Sequence, residues 1–130
     1  VTGYGLTVCF APGDRYVLVG TREGEIQAVD VSSGSLSLTL SGHTQSIWSI
    51  AVRPDGRGVM TGGGDHRVVF WDFTVTEGKL GLCEVRELEM NMDVLCVRYS
   101  ATKSTAKLLV AVALLDHTVK IFYDDSLKFF

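Results

Sequence analysis

The sequence predicts an all-β chain in which one four-stranded unit occurs three times. Apolar residues either alternate with polar ones or run continuously over short stretches rich in β-branched side chains, and no stretch has the spacing of a helix. The residues around Pro12 also match those around Pro54, 42 residues further on, and a third copy begins at Val94. A four-stranded unit that recurs every 42 to 51 residues has the period of a β-propeller blade.

Each unit begins with an alternating strand and a turn. The predicted first strands are Thr7–Phe10, Ile50–Val52 and Leu95–Tyr99. A Pro-Gly-Asp or Pro-Asp-Gly turn follows in the first two copies. The third copy has a longer loop instead, "ATKSTA" at 101–106, which is the kind of insertion that loops tolerate.

Two further strands follow, joined by a tight turn that holds an acidic residue, and a less apolar fourth strand closes the unit. The predicted second strands are Tyr16–Gly20, Gly58–Thr61 and Leu108–Ala113, and the acidic turn residues are Glu23, Asp65 and Asp116. The predicted third strands are Glu25–Val31, Arg67–Phe73 and Thr118–Tyr123, and the fourth are Leu36–Leu40, Glu84–Leu88 and Leu127–Phe130. We therefore expect three blades, at about 6–40, 46–89 and 93–130, that form an open arc of a propeller and not a closed ring.

The composition is that of a folded protein and excludes several classes of function. Of 130 residues, 46% are hydrophobic and 21% are charged. The net charge is −3 and Lys and Arg form no run, which disfavours a strongly basic nucleic-acid surface. No apolar stretch is long enough to cross a membrane. The chain begins at Val1 without a Met, so we expect it to be part of a longer protein.

The three cysteines, Cys9, Cys83 and Cys96, predict neither a disulfide framework nor a metal site. Their number is odd and no pair has C-x-x-C spacing. Free thiols fit a reducing compartment, either cytosol or nucleus. We expect no cofactor, no metal and no small-molecule substrate.

The second copy resembles a WD repeat. Gly42-His43 precedes Trp71-Asp72, with 27 residues between His43 and Trp71, which lies within the spacing of that family. The resemblance implies that His43, Thr61, Asp65 and Trp71 form a buried hydrogen-bonded chain. Such a chain would pin the loop before the blade to a turn inside it, and a buried carboxylate needs partners of this kind.

The other two copies depart from this pattern. The first has Val19 and Val29 in place of the Thr and Trp, and the third has Val112 and Phe122. We therefore expect no such chain there, and we expect these positions to be apolar contacts. Asp116 should find backbone N–H groups or solvent.

Catalytic, phosphate-binding and metal-binding interpretations are weaker than the structural one. His43, Ser46 and Asp65 could be drawn as a nucleophilic triad, but the structural chain already accounts for the His and the Asp. "TGGGD" at 61–65 lacks the Lys-Ser/Thr and the helix of a phosphate-binding loop. His66 and His117 each follow an Asp, yet equivalent turns of neighbouring blades should lie too far apart for a shared metal ion.

Three other features have simple structural interpretations. The acidic segment at 81–93 could be an interaction strand, although a solvated edge strand is the favoured interpretation. Phe129-Phe130 could anchor a partner, but packing residues of an outer strand are the simpler interpretation. Arg53, Arg57 and Arg67 are isolated charges in the sequence and are given no special role.

The segment from Met92 to Phe130 resembles one branch of the WD-repeat family more specifically, above all in "LLDHTVKIFYDDSLKFF". That branch is the tandem-propeller subunit of the small-subunit processome. The resemblance implies a non-catalytic nucleolar scaffold for pre-ribosomal RNA processing, with other proteins as its partners and RNA contacted indirectly.

The alternative is a WD-repeat adaptor or substrate receptor, in signalling or ubiquitin ligation, that binds peptides on its top face. Such a protein needs a ring of charged or aromatic residues around the channel, for example an Arg cluster that binds phosphopeptides. The candidate top-face residues are Glu23, Thr44, His66, Arg67 and His117, and their charges are mixed. A propeller by itself names no activity.

Overall fold

The computed structural model describes residues 3–100 and 108–124, and these contain eleven β-strands and no helix. The all-β prediction is confirmed. The strands of the first two sheets are β1 Gly5–Phe10, β2 Tyr16–Thr21, β3 Glu25–Asp30, β4 Leu36–Ser41, β5 Ile47–Val52, β6 Gly58–Gly63, β7 Arg67–Thr76 and β8 Lys79–Glu89. The third sheet contains β9 Val94–Tyr99, β10 Leu108–Leu114 and β11 Val119–Asp124.

The strands form three separate antiparallel sheets in chain order. The first sheet has the order β1-β2-β3-β4, the second β5-β6-β7-β8, and the third β9-β10-β11. Each sheet is therefore a meander, in which every strand pairs with the next along the chain. The "ATKSTA" loop, the strand predicted at Leu127–Phe130 and the Phe129-Phe130 pair lie outside the described residues.

The hairpin of β7 and β8 is longer than the sequence predicted. The two strands pair from Arg67↔Glu89 to Thr76↔Lys79, beyond the predicted end at Phe73 and the predicted start at Glu84. Glu77 and Gly78 form the turn with φ of 53° and 76°. Two consecutive left-handed residues are typical of a two-residue hairpin turn whose twist matches that of its strands.

The hydrophobic core lies between the sheets and has two parts. The first part packs the first sheet against the second, with Leu18, Ile26, Ile50 and Trp71 among its buried residues. The second part packs the second sheet against the third, and it includes Met60, Phe70, Val97 and Val110. The second sheet is therefore covered on both faces.

Two glycines at equivalent positions allow neighbouring sheets to approach closely. A Cβ on Gly20 would lie 2.6 Å from Cγ2 of Ile47, and one on Gly62 would lie 2.4 Å from Cγ1 of Val94. Ile47 and Val94 are the first residues of β5 and β9. Each joint between sheets thus places a β-branched residue of one sheet against a glycine of the preceding sheet.

A backbone hydrogen bond also recurs at each joint. We use "lead loop" for the residues before a sheet's first strand, 42–46 before β5 and 90–93 before β9. The N–H of His43 donates to the carbonyl of Gly24 at 3.0 Å, and the N–H of Met90 donates to the carbonyl of His66 at 2.7 Å. The acceptors occupy the same turn of successive sheets and share a left-handed backbone, with φ of 89° at Gly24 and 68° at His66.

Candidate functional site

The lead loop before β5 is joined to the second sheet by a chain of side-chain hydrogen bonds. Nδ1 of His43 lies 2.8 Å from Oδ1 of Asp65, and its Nε2 lies 2.7 Å from the hydroxyl of Thr61. The indole N–H of Trp71 donates to the same hydroxyl at 3.0 Å. His43, Thr61 and Trp71 are at most 5% exposed. The structure thus brings together all four residues that the WD resemblance implied.

The strand register explains how the sequence places these groups. Thr61 lies on β6 opposite Val69 of β7, two residues before Trp71, so the indole reaches the hydroxyl diagonally across the pair. Asp65 lies in the turn between β6 and β7, directly beneath the lead loop. The lead loop and the β6–β7 turn are distant in sequence, and they meet because the chain reverses direction at each turn of the sheet.

Asp65 is the centre of this network. Besides the bond from His43, its carboxylate accepts the backbone N–H of Thr44 at 3.1 Å and Nε of Arg67 at 3.0 Å. The side chain of Asp65 is only 4% exposed. The carboxylate is therefore buried with several donors, which is the condition under which a buried charge is tolerated.

Arg67 belongs to this network, and the prediction that it has no special role was wrong. One Nη donates to the carbonyl of Gly42 at 2.9 Å, and the other donates to the carboxylate of Glu87 on β8. Arg67 therefore ties the lead loop, the turn and the edge strand together. The opposite charges that β7 and β8 place near each other are a sequence signal that could have identified it.

The protonation states follow from burial and from these bonds. Burial lowers the pKa of His43, and although the hydrogen bond and charge of Asp65 oppose this effect, the net pKa lies below 6.5. Burial raises the pKa of Asp65, but the hydrogen bond and charge of His43, with the donors Thr44 and Arg67, outweigh it and lower the net pKa. A neutral His43 beside an ionised Asp65 must donate from Nδ1 and accept the Thr61 hydroxyl proton at Nε2.

Glycines leave room for the network. A Cβ on Gly63 would lie 2.6 Å from Nδ1 of His43 and 2.9 Å from Oδ1 of Asp65. A Cβ on Gly42 would lie 3.0 Å from the Trp71 ring. Gly63 of "TGGGD" and Gly42 thus serve close packing at this point.

The equivalent positions of the other sheets hold apolar side chains. Val19 and Val112 are buried, whereas Val29 and Phe122 are half-buried. The exposed Asp116 accepts the N–H of Thr118 at 3.2 Å and its hydroxyl at 2.5 Å. The hydrogen bond from the Thr118 hydroxyl is the main cause that lowers the pKa of Asp116.

The candidate top-face residues do not converge on one ligand site. Thr44 and Arg67 meet at Asp65, and His66 pairs with Asp93 of the next lead loop at 3.3 Å. Glu23 accepts the N–H of Tyr4, and His117 lies in the exposed turn after β10. Within 3–100 and 108–124, no hydrogen bond or ion pair joins Glu23 or His117 to the other three.

The geometry of Ser46 does not form a nucleophilic triad. Its hydroxyl donates to the carbonyl of Arg22 at 2.9 Å, whereas both nitrogens of His43 are bonded to Asp65 and Thr61.

Across the described parts of the chain, no group of three or more His, Cys, Asp or Glu side chains could hold a metal ion. Cys9, Cys83 and Cys96 are free thiols. None of the described segments forms a helix that could cross a membrane.

Arg53 is a second structural arginine that sequence reasoning missed. It is 8% exposed, its Nε donates to Asp55 at 2.8 Å, and its guanidinium lies 3.6 Å from Asp72. It therefore joins the turn after β5 to the Asp that follows Trp71. Arg57 shares this turn, where its backbone N–H donates to Asp55 at 2.9 Å.

Comparison with known proteins identifies the repeat and two sets of relatives. A family model described as "WD domain, G-beta repeat" matches residues 34–72. WD repeat-containing protein 3 of Homo sapiens is 46% identical over 133 residues, which cover 98% of this chain and 14% of that protein. U3 small nucleolar RNA-associated protein 12 of Saccharomyces cerevisiae is 41% identical over 140 residues, with the same two shares. The chain thus spans about one seventh of these relatives.

A solved structure supports the fold. The β-propeller domain of Myceliophteria thermophila Cps50 (Swd1) superposes with a TM-score of 0.65 at 17% identity, and the match covers 95% of this chain and 39% of that one. At this identity the likeness concerns the fold alone. Together with the three open sheets, it confirms the predicted propeller architecture.

Proposed function

Because this chain belongs to the WD-repeat family, we propose that it is part of a non-catalytic scaffold for protein assembly in small-ribosomal-subunit biogenesis and pre-rRNA processing. The observation that carries this proposal is the 41% identity, over 98% of the chain, to a yeast protein whose name associates it with U3 small nucleolar RNA. The human relative matches over the same share at 46%.

The geometry supports a scaffold. The reactive side chains of the second sheet are bonded to one another, with His43 between Asp65 and Thr61 and Arg67 between Asp65 and Glu87. Side chains that are hydrogen-bonded in this way stabilise the loop and are not available to bind a substrate. The adaptor alternative needs free cations on the top face, and Arg67 is already occupied.

The proposal also includes the partners and the location of the chain, again from its identity to these relatives. The partners are other proteins of a large assembly, and RNA is contacted through them, since a net charge of −3 gives the chain little attraction for phosphates. The compartment is the nucleus, and within it the nucleolus.

Affinity purification of the intact protein tests the proposal. The expected result is co-purification of U3 RNA, pre-rRNA and nucleolar proteins, with depletion of the protein causing unprocessed pre-rRNA to accumulate. Recovery of signalling or ubiquitin-ligase components, with no pre-rRNA, would support the adaptor alternative and reject the proposal.

A further inference from the structure

A groove runs across the first strands of all three sheets, at some distance from the His43 network. It is lined by residues 7–9 of β1, 50–52 and 54 in and after β5, and 98–100 in and after β9, and its volume is about 500 Å³. This volume lies in the range of sites that hold small ligands or a few side chains. The groove thus lies where the first strands of three sheets meet.

Arg98 is the charged residue of the described lining, and it is held in position. Its Nη1 donates to the hydroxyl of Ser49 on β5 at 3.3 Å and to the carbonyl of Val97 at 2.8 Å. Ser49 is itself 4% exposed and accepts the N–H of Val97 at 3.1 Å. A buried hydroxyl of one sheet therefore anchors the guanidinium of the next.

The edge of the guanidinium formed by Nε and Nη2 remains available to a ligand. Among the described residues, neither Nε nor Nη2 of Arg98 has a hydrogen-bonding partner, and Arg98 is exposed. These two nitrogens point in parallel and match the two oxygens of a carboxylate. No Asp or Glu lies in the described lining to occupy them.

The walls beside Arg98 are largely apolar. Ile50, Val52, Pro54 and Cys9 belong to the lining of the groove. Burial is the main cause that raises the pKa of the half-buried Cys9 thiol to about 11. An ion pair that apolar side chains partly shield from water is stronger than one in open water.

We propose that this Arg98 groove binds a short segment of a partner protein that carries a carboxylate flanked by apolar side chains. The choice of a protein as occupant rests on the scaffold role proposed above. An RNA backbone fits less well, because phosphate binding needs several cations and the described lining supplies one.

Fluorescence anisotropy with the intact protein tests the groove. The probes are two fluorescein-labelled octapeptides, one of alternating Glu and Leu and one of alternating Gln and Leu, and a single-stranded oligouridylate. We expect the acidic peptide to bind at least about tenfold more tightly than the neutral one. We expect Arg98→Gln to remove this preference. Lys79→Gln, which makes the same charge change at the distant tip of the β7–β8 hairpin, should keep the preference within about twofold.

A second pair of variants keeps Arg98 intact. Ser100 lies two residues further on the same strand face, and its hydroxyl accepts the N–H of Leu109 at 2.9 Å. Ser100→Asp places a competing carboxylate beside Arg98 and should weaken the acidic peptide about as much as Arg98→Gln. Ser100→Asn retains an acceptor for Leu109 without the charge and should bind normally. Thermal melting checks that every variant is folded.

The other possible outcomes decide against the groove, the scaffold role or both. Equal losses in Arg98→Gln and Lys79→Gln, equal binding of both peptides, or preferential binding of the oligouridylate would overturn the proposal. If the wild-type protein co-purifies with U3 RNA but binds neither peptide, the groove is rejected and the scaffold role stands. If binding depends on Arg98 in a protein that does not co-purify with U3 RNA, the groove stands and the scaffold role is rejected.

Discussion

In the second sheet every residue of β6 is buried, whereas in the third sheet buried and more exposed residues alternate along β10. The same difference appears in the lead loops. His43 enters a chain of polar side chains, and Met90 at the equivalent position packs into the apolar core between the second and third sheets. Both loops nevertheless make the same backbone bond to the turn of the preceding sheet.

This comparison distinguishes the residues that both joints between sheets share from those that add stability to one of them. The joint itself needs a left-handed turn residue, a small residue on the second strand and a β-branched residue at the start of the next sheet. The polar network adds stability to the joint between the first two sheets. The joint between the second and third sheets forms without an equivalent network, through apolar contacts, the backbone bond of Met90 and the hydrogen bonds of Ser49. The network is therefore not a requirement of the architecture.

The largest effect we expect comes from the uncovered faces of the two outer sheets. Ile121 is 58% exposed and Val119 is 63% exposed on the outer face of the third sheet. Residues 1–130 alone should therefore associate, and their thermal transition should shift with concentration. Ile121→Asp should reduce this association, while Val75→Asp, at a 74% exposed site on the hairpin tip, should leave it unchanged. A monomer with a concentration-independent transition would contradict this prediction.

The next largest effect concerns Trp71. Trp71→Ala should lower the free energy of unfolding by about 3–5 kcal/mol, because it empties a large buried site between the first two sheets. Trp71→Phe should cost about 1 kcal/mol, the value of the lost hydrogen bond to Thr61. Chemical denaturation measures both. If the two variants lose the same free energy, the indole ring contributes nothing beyond its N–H. In that case Phe at position 71 would not replace Trp as Phe122 does at the equivalent position of the third sheet.

Asp65 and Asp116 give the sharpest comparison between the sheets. Asp65→Ala should cost about 3 kcal/mol, because the buried His43 loses its acceptor, and so do the Thr44 N–H and Arg67. Asp116→Ala, at the equivalent exposed turn, should change stability far less. Similar losses in the two variants would show that the acidic turn residue acts locally and that the network adds nothing.

The smallest effect is a dependence on pH. The pKa of His43 is lowered in the folded protein from 6.5, so the unfolded chain takes up a proton more readily. This contribution to stability is complete above pH 6.5 and is lost as the pH falls from there through the folded pKa. Melting temperatures between about pH 8 and pH 5 should fall more steeply for the wild type than for His43→Gln. Parallel profiles would exclude His43 as the group responsible.

Periodicity was enough to predict the strands among the described residues, and the resemblance to a WD repeat brought His43, Thr61, Asp65 and Trp71 into one hypothesis. Both signals are local or repeat at a fixed distance. The length of the β7–β8 hairpin was missed because "EG" at 77–78 is a turn signal inside a polar stretch that looked like a loop.

The roles of Arg67 and Arg98 could not be predicted in the same way. Arg67 acts through the carbonyl of Gly42 and through Glu87, which are near it only after the sheet has folded. Arg98 depends on Ser49 in a different sheet. The charges on β7 and β8 indicate the contact of Arg67 with Glu87, but no repeat or strand period indicates the contact of Arg67 with Gly42 or of Arg98 with Ser49. Those two contacts become visible only in three dimensions.

The recurring backbone bond has a consequence for symmetry. Each joint has a donor side, the N–H of a lead loop, and an acceptor side, the carbonyl of a left-handed turn residue. His117, with φ of 70°, occupies that acceptor position in the third sheet. Two copies that associate through such a joint must therefore meet head to tail, and a two-fold axis cannot relate them. Contacts of this heterologous kind either close into a ring or continue as a filament, so the curvature of the arc decides how far association proceeds.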